Sequence, residues 1–540
     1  MKALRITVSL IMTLASVISA WAVDGVPSTA GQSCTFVEGM RYSHLVINTR
    51  INDFKANTSN AGFGVFDANG NRVEQAHDGK TSLDYVPGLV AKAILEAVDF
   101  YKDSQEVDVA PWFYAVQDYG MSRDITSNGK MGKSFDDLNA VKLYFLLDQL
   151  AATNRFDKGN YTKETTHNTA QKRFADALAG IAAANSNYVI RESTLTGAAG
   201  GWWHKSSYVD QMWCDGQYMG PALLAQMLCS YTDYQPISGD DWHLLVEQFR
   251  IAWHYLWDEN QKLLYHAFTA DPAGSAASKW AGVSAEKGAE VYHSAEFWGR
   301  AVAWYFMALV DVLEQMDIAG RNNTSDYQLL YGYLQQLGQG IAERQDDDSG
   351  CWYQLLAHDG NFVANNYNGS YSYTTKPVAN YLESSCSSIF TAAYLKGMRL
   401  GLFDTDYIPL AKKAFRGIVE HFMVADGKGG AHIVSCCKSA GLGGSNYRDG
   451  SAEYYLMGKD TKPTSTQGSD FYTEGKVLGG FIMAATEYER LGDAVITGIT
   501  PVSEITNHDS TYYDLQGRRL SSPSYNGVYV KNQRKTFVHR

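Results

Sequence analysis

The sequence predicts an all-α protein, a closed ring of helical hairpins of the (α/α)6 barrel type, followed by a small β module. Three observations carry this. Ten long segments repeat apolar residues at helical spacing. Loops rich in Gly, Asn, Asp and Ser separate them, and strand-like alternation is scarce before residue 495. An even number of about twelve such helices, joined as antiparallel hairpins, closes into a ring of six pairs. The ends of the inner helices and their loops then surround one wide pocket.

Taken in order, residues 1–22 read as a secretory signal peptide. MKALR is a short basic start, ITVSLIMTLASVISAW an apolar stretch, and Ala20-Trp21-Ala22 a small-residue cleavage signal. No cysteine follows the cut, which argues against a lipid anchor. An exported protein is expected, in the periplasm, at the cell surface or outside the cell. Residues 23–80 are rich in Gly, Ser and Asn and read as an extended lead-in. The barrel is placed at 81–494, on helical patterns at Tyr85–Tyr101, Leu138–Leu150, Gln171–Ala184, Gly216–Tyr231, Trp242–Trp257, Glu296–Met316, Tyr327–Arg344, Ser384–Leu400, Tyr407–Phe422 and Glu474–Leu491. Residues 495–540 change character: YYDL, GVYVK and KTFVH alternate, with QGRR and YNG as turns. This tail resembles the C-terminal tails of some exported bacterial proteins, certain of which are sorting signals, and reads equally as a structural appendage.

Charge and cysteines narrow the partners. Of 46 basic and 58 acidic residues, removal of Lys2 and Arg5 with the signal takes the net charge from −12 to −14. Such a balance disfavours nucleic acid and anionic membranes. No other apolar run reaches the roughly 18–20 residues that span a bilayer. The 7 cysteines are scattered and make no dense disulfide framework, and no CxxC, HExxH or Cys/His cluster points to a metal. The 35 tyrosines and 12 tryptophans offer flat faces with polar tips, which suit sugar rings and cores alike.

Four stretches carry candidate chemistry. In GGWWHKSSYVDQMWCDGQYMG (200–220), Asp215 stands at a helix start. It is either a first-turn acid that complements the helix dipole, or a carboxyl among Trp202, Trp203, Trp213, Tyr218 and Met219 that loses solvation and keeps its proton to higher pH, as a general acid requires. In FDDLNAVKLYFLL (135–147), N-capping accounts for one of Asp136 and Asp137, and the spare one can face a pocket as the second carboxylate of a glycosidase-like site. In EFWGRAVAW, Arg300 between Trp298 and Trp304 suits a carboxylate while the rings stack on a sugar, or is a surface ion pair beside core tryptophans. In KLLYHAF, His266 is a structural histidine or a pocket residue.

Together these stretches resemble glycoside hydrolase family 105, the unsaturated rhamnogalacturonyl hydrolases, which are related to the unsaturated glucuronyl hydrolases. The likeness covers most of residues 80–492 and rests on ordered motifs: DDLN, His204-Lys205, MWCDGQYMG, LLYHAF, FWGRAVAW, SGCWYQLL, YLESSCSSIFTAAYLKGMRLG, GLGGSNYRDGSAEYYL and GKVLGGFIMAATEYERL. It implies an (α/α)6 barrel with neither metal nor cofactor. It also implies that Asp215 is the proton donor and water activator, that Asp136 or Asp137 is the second carboxylate, and that His204, Lys205 and His266 are polar pocket residues. Met219, Trp298, Arg300 and Trp304 match substrate-contacting positions, and Tyr85 matches an aromatic at the first inner helix. The expected substrate is an oligosaccharide ending in a 4,5-unsaturated uronate, in pectin breakdown. One departure stands out: where the family has roughly WGRGNGW, this chain has Ala301, Val302 and Ala303, and the added carbons bear on substrate identity. Three rival functions are an unsaturated glucuronyl hydrolase acting on glycosaminoglycan, ulvan or arabinogalactan fragments, an (α/α)6 glycosidase acting on saturated sugars, and a non-catalytic glycan-binding protein.

Overall fold

Helical periodicity in the sequence becomes helix in the computed structural model, which describes residues 23–52, 63–74, 83–123, 133–272, 274, 279–281, 292–444 and 447–496, and four short strands between 512 and 538. The expected signal peptide lies outside the described residues. The helices are α1 Tyr42–Asn52, α2 Tyr85–Tyr101, α3 Ala110–Ser122, α4 Phe135–Asn139, α5 Leu143–Ala151, α6 Lys163–Asn187, α7 Cys214–Met219, α8 Pro221–Ser230, α9 Asp241–Leu256, α10 Gly299–Ile318, α11 Ser325–Ala342, α12 Ser384–Arg399, α13 Ile408–Phe422, α14 Ala452–Met457 and α15 Gly475–Ile496.

Their packing closes a ring. Helix α2 packs on α4 and α5, α4 on α7, α7 and α8 on α10, α10 on α12, α12 on α15, and α15 back on α2. An outer helix backs each inner position: α3 lies against α2, α6 against α5, α9 against α8, α11 against α10, α13 against α12, and α1 against α15. Inner helices are buried around most of their circumference, as α10 shows from Gly299 to Val310. Outer helices such as α13 bury one stripe. This is the (α/α)6 barrel.

Two inner positions hold broken helices. Between α4 and α5 the chain tightens into a 3-10 turn at Ala140–Lys142. The segment Gly216–Tyr231, expected as one helix, is two. Pro221 has no N–H, so the carbonyl of Gln217 receives no helical bond, and the axis breaks at Gly220. Asp136 and Asp215 sit on the short pieces before these breaks.

Two outer helices escape a reading by periodicity. Helix α1 lies inside the segment read as an extended lead-in, and its contact with α15 supplies what its composition lacks. Ser43 donates from its backbone N–H (2.9 Å) and its hydroxyl (2.5 Å) to the buried carboxylate of Glu489. Helix α3, with Pro111 in its first turn, is buried from Trp112 to Gly120, so no polar stripe marks it. In the tail, Tyr512–Tyr513, Arg519–Leu520, Gly527–Lys531 and Arg534–Val538 form an antiparallel sheet in which the Tyr512–Tyr513 strand lies between the Arg519 and Gly527 strands, and the last two pair as a hairpin. The expected β module is there. All seven cysteines are free, and only Cys229 is not fully buried.

Close packing of α2 on the 3-10 turn depends on Gly88, where an added Cβ would lie 2.6 Å from the Cα and Cβ of Ala140. Replacing a helical glycine by alanine is worth about 1 kcal/mol in intrinsic propensity, but overpacking costs about 1–3 kcal/mol. Gly332 of α11 has nothing within 4 Å of its Cβ position. Gly332→Ala should therefore raise the thermal midpoint and Gly88→Ala should lower it. A calorimetric scan of the two variants gives opposite signs if the ring is closed as described.

Candidate active site

The first turns of the inner helices meet at one end of the barrel. Asp136 and Asp215 are the second residues of α4 and α7, Tyr85 opens α2, Arg300 is the second residue of α10, and Glu383 caps α12. Backbone pairing aligns the segments that lead into them. The Phe135 N–H donates to the His204 carbonyl (3.2 Å), the Ser206 N–H to the Lys133 carbonyl (2.7 Å), and the His204 N–H to the Gln211 carbonyl (3.0 Å). The Gln211–Trp213 strand pairs with Ala267–Thr269, and the Cys214 N–H donates to the His266 carbonyl (3.0 Å). Asp136, His204, Lys205, Asp215 and His266 are thereby gathered from three separate stretches of sequence.

The two carboxyls are pushed in opposite directions. Burial alone would raise Asp136, but Lys205 Nζ lies 2.5 Å from its Oδ2 and His204 Nε2 3.2 Å from its Oδ1. These partners outweigh burial and hold Asp136 well below the usual carboxylate range. Asp215 is raised, first by burial and then by the negative charge of Asp136, against the lowering influence of His204 and Lys205. Its Oδ1 is buried with no hydrogen-bond partner. Of the two candidates at the start of α4, Asp136 is the one that meets His204 and Lys205. Asp137, beside it, is half-buried.

Aromatic rings hold these groups. The His204 ring lies nearly parallel to Trp213 (5.4 Å, 17°) and Tyr208 (6.1 Å, 15°). His266 is fully buried, its Nδ1 2.7 Å from the Tyr455 hydroxyl and its Nε2 unpartnered. Burial, with His204 and Arg300 nearby, holds its pKa well below the usual histidine value, so the ring is neutral. Trp213 meets it edge-on at 4.9 Å, and Trp298 packs at 4.7 Å. Arg300 lies over the Trp298 ring (4.6 Å) and is itself buried. Its Nη1 donates to the Cys437 carbonyl (2.6 Å) and the Ser385 hydroxyl (3.1 Å), with Glu383 at 3.9 Å.

Tyr85 is half-buried and feels Arg300, Asp136 and Asp215, which places it at the same pocket. Trp304 is buried, stacked on Tyr218 (4.3 Å, 26°) and met by Tyr85 at 6.3 Å. Met219 is likewise buried. Ala301, Val302 and Ala303 are fully buried in α10, so their side chains meet protein rather than solvent. Trp202 and Trp203 are framework: Trp202 packs on Phe135 and donates to Asn185, and Trp203 donates to Asp210.

Sequence reasoning missed Tyr455, Gln354 and Glu383. Tyr455 holds His266 and lies near enough to feel Asp215, Gln354 accepts from Trp298 Nε1 (3.1 Å), and Glu383 accepts from the backbone N–H groups of Cys386 and Cys437. Their segments, SAEYYL, WYQLL and YLESS, carry no local mark that separates one tyrosine or acid from its neighbours. Only the fold brings them to the site.

The profile described as Glycosyl Hydrolase Family 88 matches residues 66–492. A protein of Agrobacterium fabrum strain C58 is 30% identical over 235 residues, 41% of this chain and 84% of its own. Among solved structures, a family 105 glycoside hydrolase of C. acetobutylicum ATCC 824 is 27% identical with a TM-score of 0.54, over 76% of this chain and 94% of that one. A possible family 105 member of Klebsiella pneumoniae superposes with a TM-score of 0.54 at 19% identity, over 85% and 96% of the two chains, and shares the fold.

Gly216 is needed for this arrangement, because a Cβ there would sit 2.8 Å from His204 Nδ1. The same ring carries the contact to Asp136, so a shift that makes room for the Cβ is expected to disturb that contact. Gly216→Ala should lower hydrolytic turnover by about tenfold or more, since about 1 Å of misplacement costs on the order of 100-fold. Wild-type turnover in the folded variant would show that the His204–Asp136 contact is dispensable.

Proposed function

The chain belongs to Glycosyl Hydrolase Family 88, and from that premise we propose that it removes a 4,5-unsaturated uronic acid from the non-reducing end of oligosaccharides left by polysaccharide lyases, in the breakdown of pectin rhamnogalacturonan. One observation carries the reading. A buried carboxyl with a raised pKa and a free oxygen stands beside a second carboxyl held ionised by a lysine and a histidine. Separating two carboxyl pKa values in this way makes one an acid and leaves the other a charge.

In the proposed reaction, protonated Asp215 gives its proton to C4 of the enol ether, and positive charge develops at C5 and the ring oxygen. Asp215, now a carboxylate, accepts a proton from water as that water adds to C5. The resulting hemiketal opens and releases the remaining chain. One group serves as acid and then as base. Asp136 keeps Asp215 protonated and stabilises the positive charge that follows. Neutral His266 offers Nε2 to a sugar hydroxyl, and Lys205, Arg300 and the positive ends of the inner helices attract the uronate. The signal-like segment 1–22 supports export, which suits an enzyme acting on polymer fragments.

Asp215→Asn should reduce turnover by about 10²–10⁴-fold, read as loss of the ultraviolet absorbance of the conjugated enol acid. Lyase digests of rhamnogalacturonan, glycosaminoglycan, ulvan and arabinogalactan decide the second sugar, and faster turnover on any digest other than rhamnogalacturonan would overturn the pectin assignment. Cleavage of intact polysaccharide, without lyase treatment, would favour a saturated-sugar glycosidase instead.

A pH profile tests the charge logic. Turnover needs protonated Asp215, so it falls as pH rises through the Asp215 pKa, and a raised pKa puts that fall above the ordinary carboxyl range. Asp136→Asn removes a charge that raises Asp215 while Lys205 and His204 still lower it. The alkaline limb should therefore move to lower pH in Asp136→Asn, and a limb that stays fixed or moves upward contradicts the assignment.

A further inference from the structure

Lys142 is a buried amine in the barrel interior, at the end of the 3-10 turn that follows Asp136. It points at the other carboxyl-bearing helix. Its Nζ donates to the backbone carbonyl of Tyr218 and lies 3.4 Å from the centroid of the Tyr218 ring. Tyr218 is three residues after Asp215 on α7, and its ring stacks on Trp304.

Helix α7 has six residues, and its carbonyl end is buried where Pro221 cannot donate. The last carbonyls of any helix lack partners within it and favour a donor or positive charge. Acids near Lys142 serve other lysines: Asp311 pairs with Lys396 at 2.6 Å and Glu96 with Lys92 at 2.6 Å. Among the described ion pairs Lys142 has none of its own. Burying an amine is costly unless it is hydrogen-bonded, so the contact with Tyr218 is what holds it there.

We propose that Lys142 is a positioning residue that locks the Asp136-bearing turn to the Asp215-bearing turn, and so sets where the Asp215 carboxyl stands in the site. This rests on the reading of Asp215 as the proton donor. Asp311, Lys92, Lys396 and Glu96 face Lys142 from behind, across a cavity of about 620 Å³ at the far end of the barrel that Lys142 helps to line. That cavity gives small molecules a route to the space a truncated side chain would leave.

Lys142→Met keeps the length of the side chain and removes its donor. It should lower kcat by tenfold or more with KM changed less than threefold. In Lys142→Ala, purified and assayed with propylamine, kcat should rise with amine concentration, whereas tetramethylammonium, a cation without N–H, should restore nothing. Should Lys142→Met fail to fold, the amine titration of Lys142→Ala decides alone. A folded Lys142→Met with wild-type kcat, a loss confined to KM, or a kcat of Lys142→Ala indifferent to propylamine overturns the proposal. Asp215→Asn in the same assay separates the two readings: if it is inactive while Lys142→Met is normal, only the role of Lys142 falls, and if it is fully active, the proton-donor reading falls first.

Discussion

The ring of inner helices depends on one constraint: each must bury nearly its whole circumference, yet each leaves four backbone N–H groups unsatisfied at its start. Alternation with outer helices brings all six starts to the same end of the barrel. The chain answers with acids at the caps and first turns. Asp136, Asp215, Glu383 and Glu474 stand at the beginnings of α4, α7, α12 and α15, and Glu383 and Glu474 accept directly from backbone N–H groups there. The geometry that closes the core therefore collects positive helix ends and carboxyls in one place. It also places positive helix ends at one spot in a strongly acidic protein, as the proposed anionic substrate would require.

Within that pocket, burial works against both carboxyls and wins at only one. Asp136 has two basic groups within 3.2 Å, and removing either would leave a poorly solvated charge, which is the costly way to break such a pair. Asp215 has no such contact at Oδ1, so desolvation and the charge of Asp136 act on it together. The same lysine and histidine that hold Asp136 ionised are thus what allow Asp136 to raise its neighbour. Basic groups placed on Asp215 instead would have exchanged the two roles.

Much of the barrel was legible in the sequence, because inner and outer helices both repeat apolar residues over long spans. Tyr85–Tyr101 was readable to the residue. Where reading failed, a tertiary contact had replaced a local signal. The α1 segment is held by Glu489, 446 positions away. Breaks at 140–142 and at Gly220 interrupt patterns that stay apolar throughout, and only Pro221 hints at the second. The site divides in the same way. Acids at helix starts and tryptophans flanking an arginine are local patterns and could be found. The choice of Asp136 over Asp137 depends on which residue faces His204-Lys205 across a backbone pairing, and no spacing within DDLN encodes that. Tyr455 and Glu383 act on residues 189 positions and more than 50 positions away, respectively.

Groups that hold the site have their hydrogen-bonding valences occupied, and groups able to meet a ligand keep some free. Arg300 uses Nη1 on the Cys437 carbonyl and Ser385, beside the buried Glu383, so its guanidinium is oriented before any sugar arrives. Lys205 has one contact to Asp136 and two further N–H donors. His266 is neutral, and with Nδ1 fixed by Tyr455 a single valence remains at Nε2. A neutral imidazole nitrogen gives a directional hydrogen bond without drawing the carboxylate away from the cations. The free valences at Lys205, His266 and Asp215 thus differ in kind, as cation, neutral hydrogen-bonding group and acid. That is the set the proposed reaction calls for: a cation for the carboxylate, a neutral group for a hydroxyl, and an acid for the double bond.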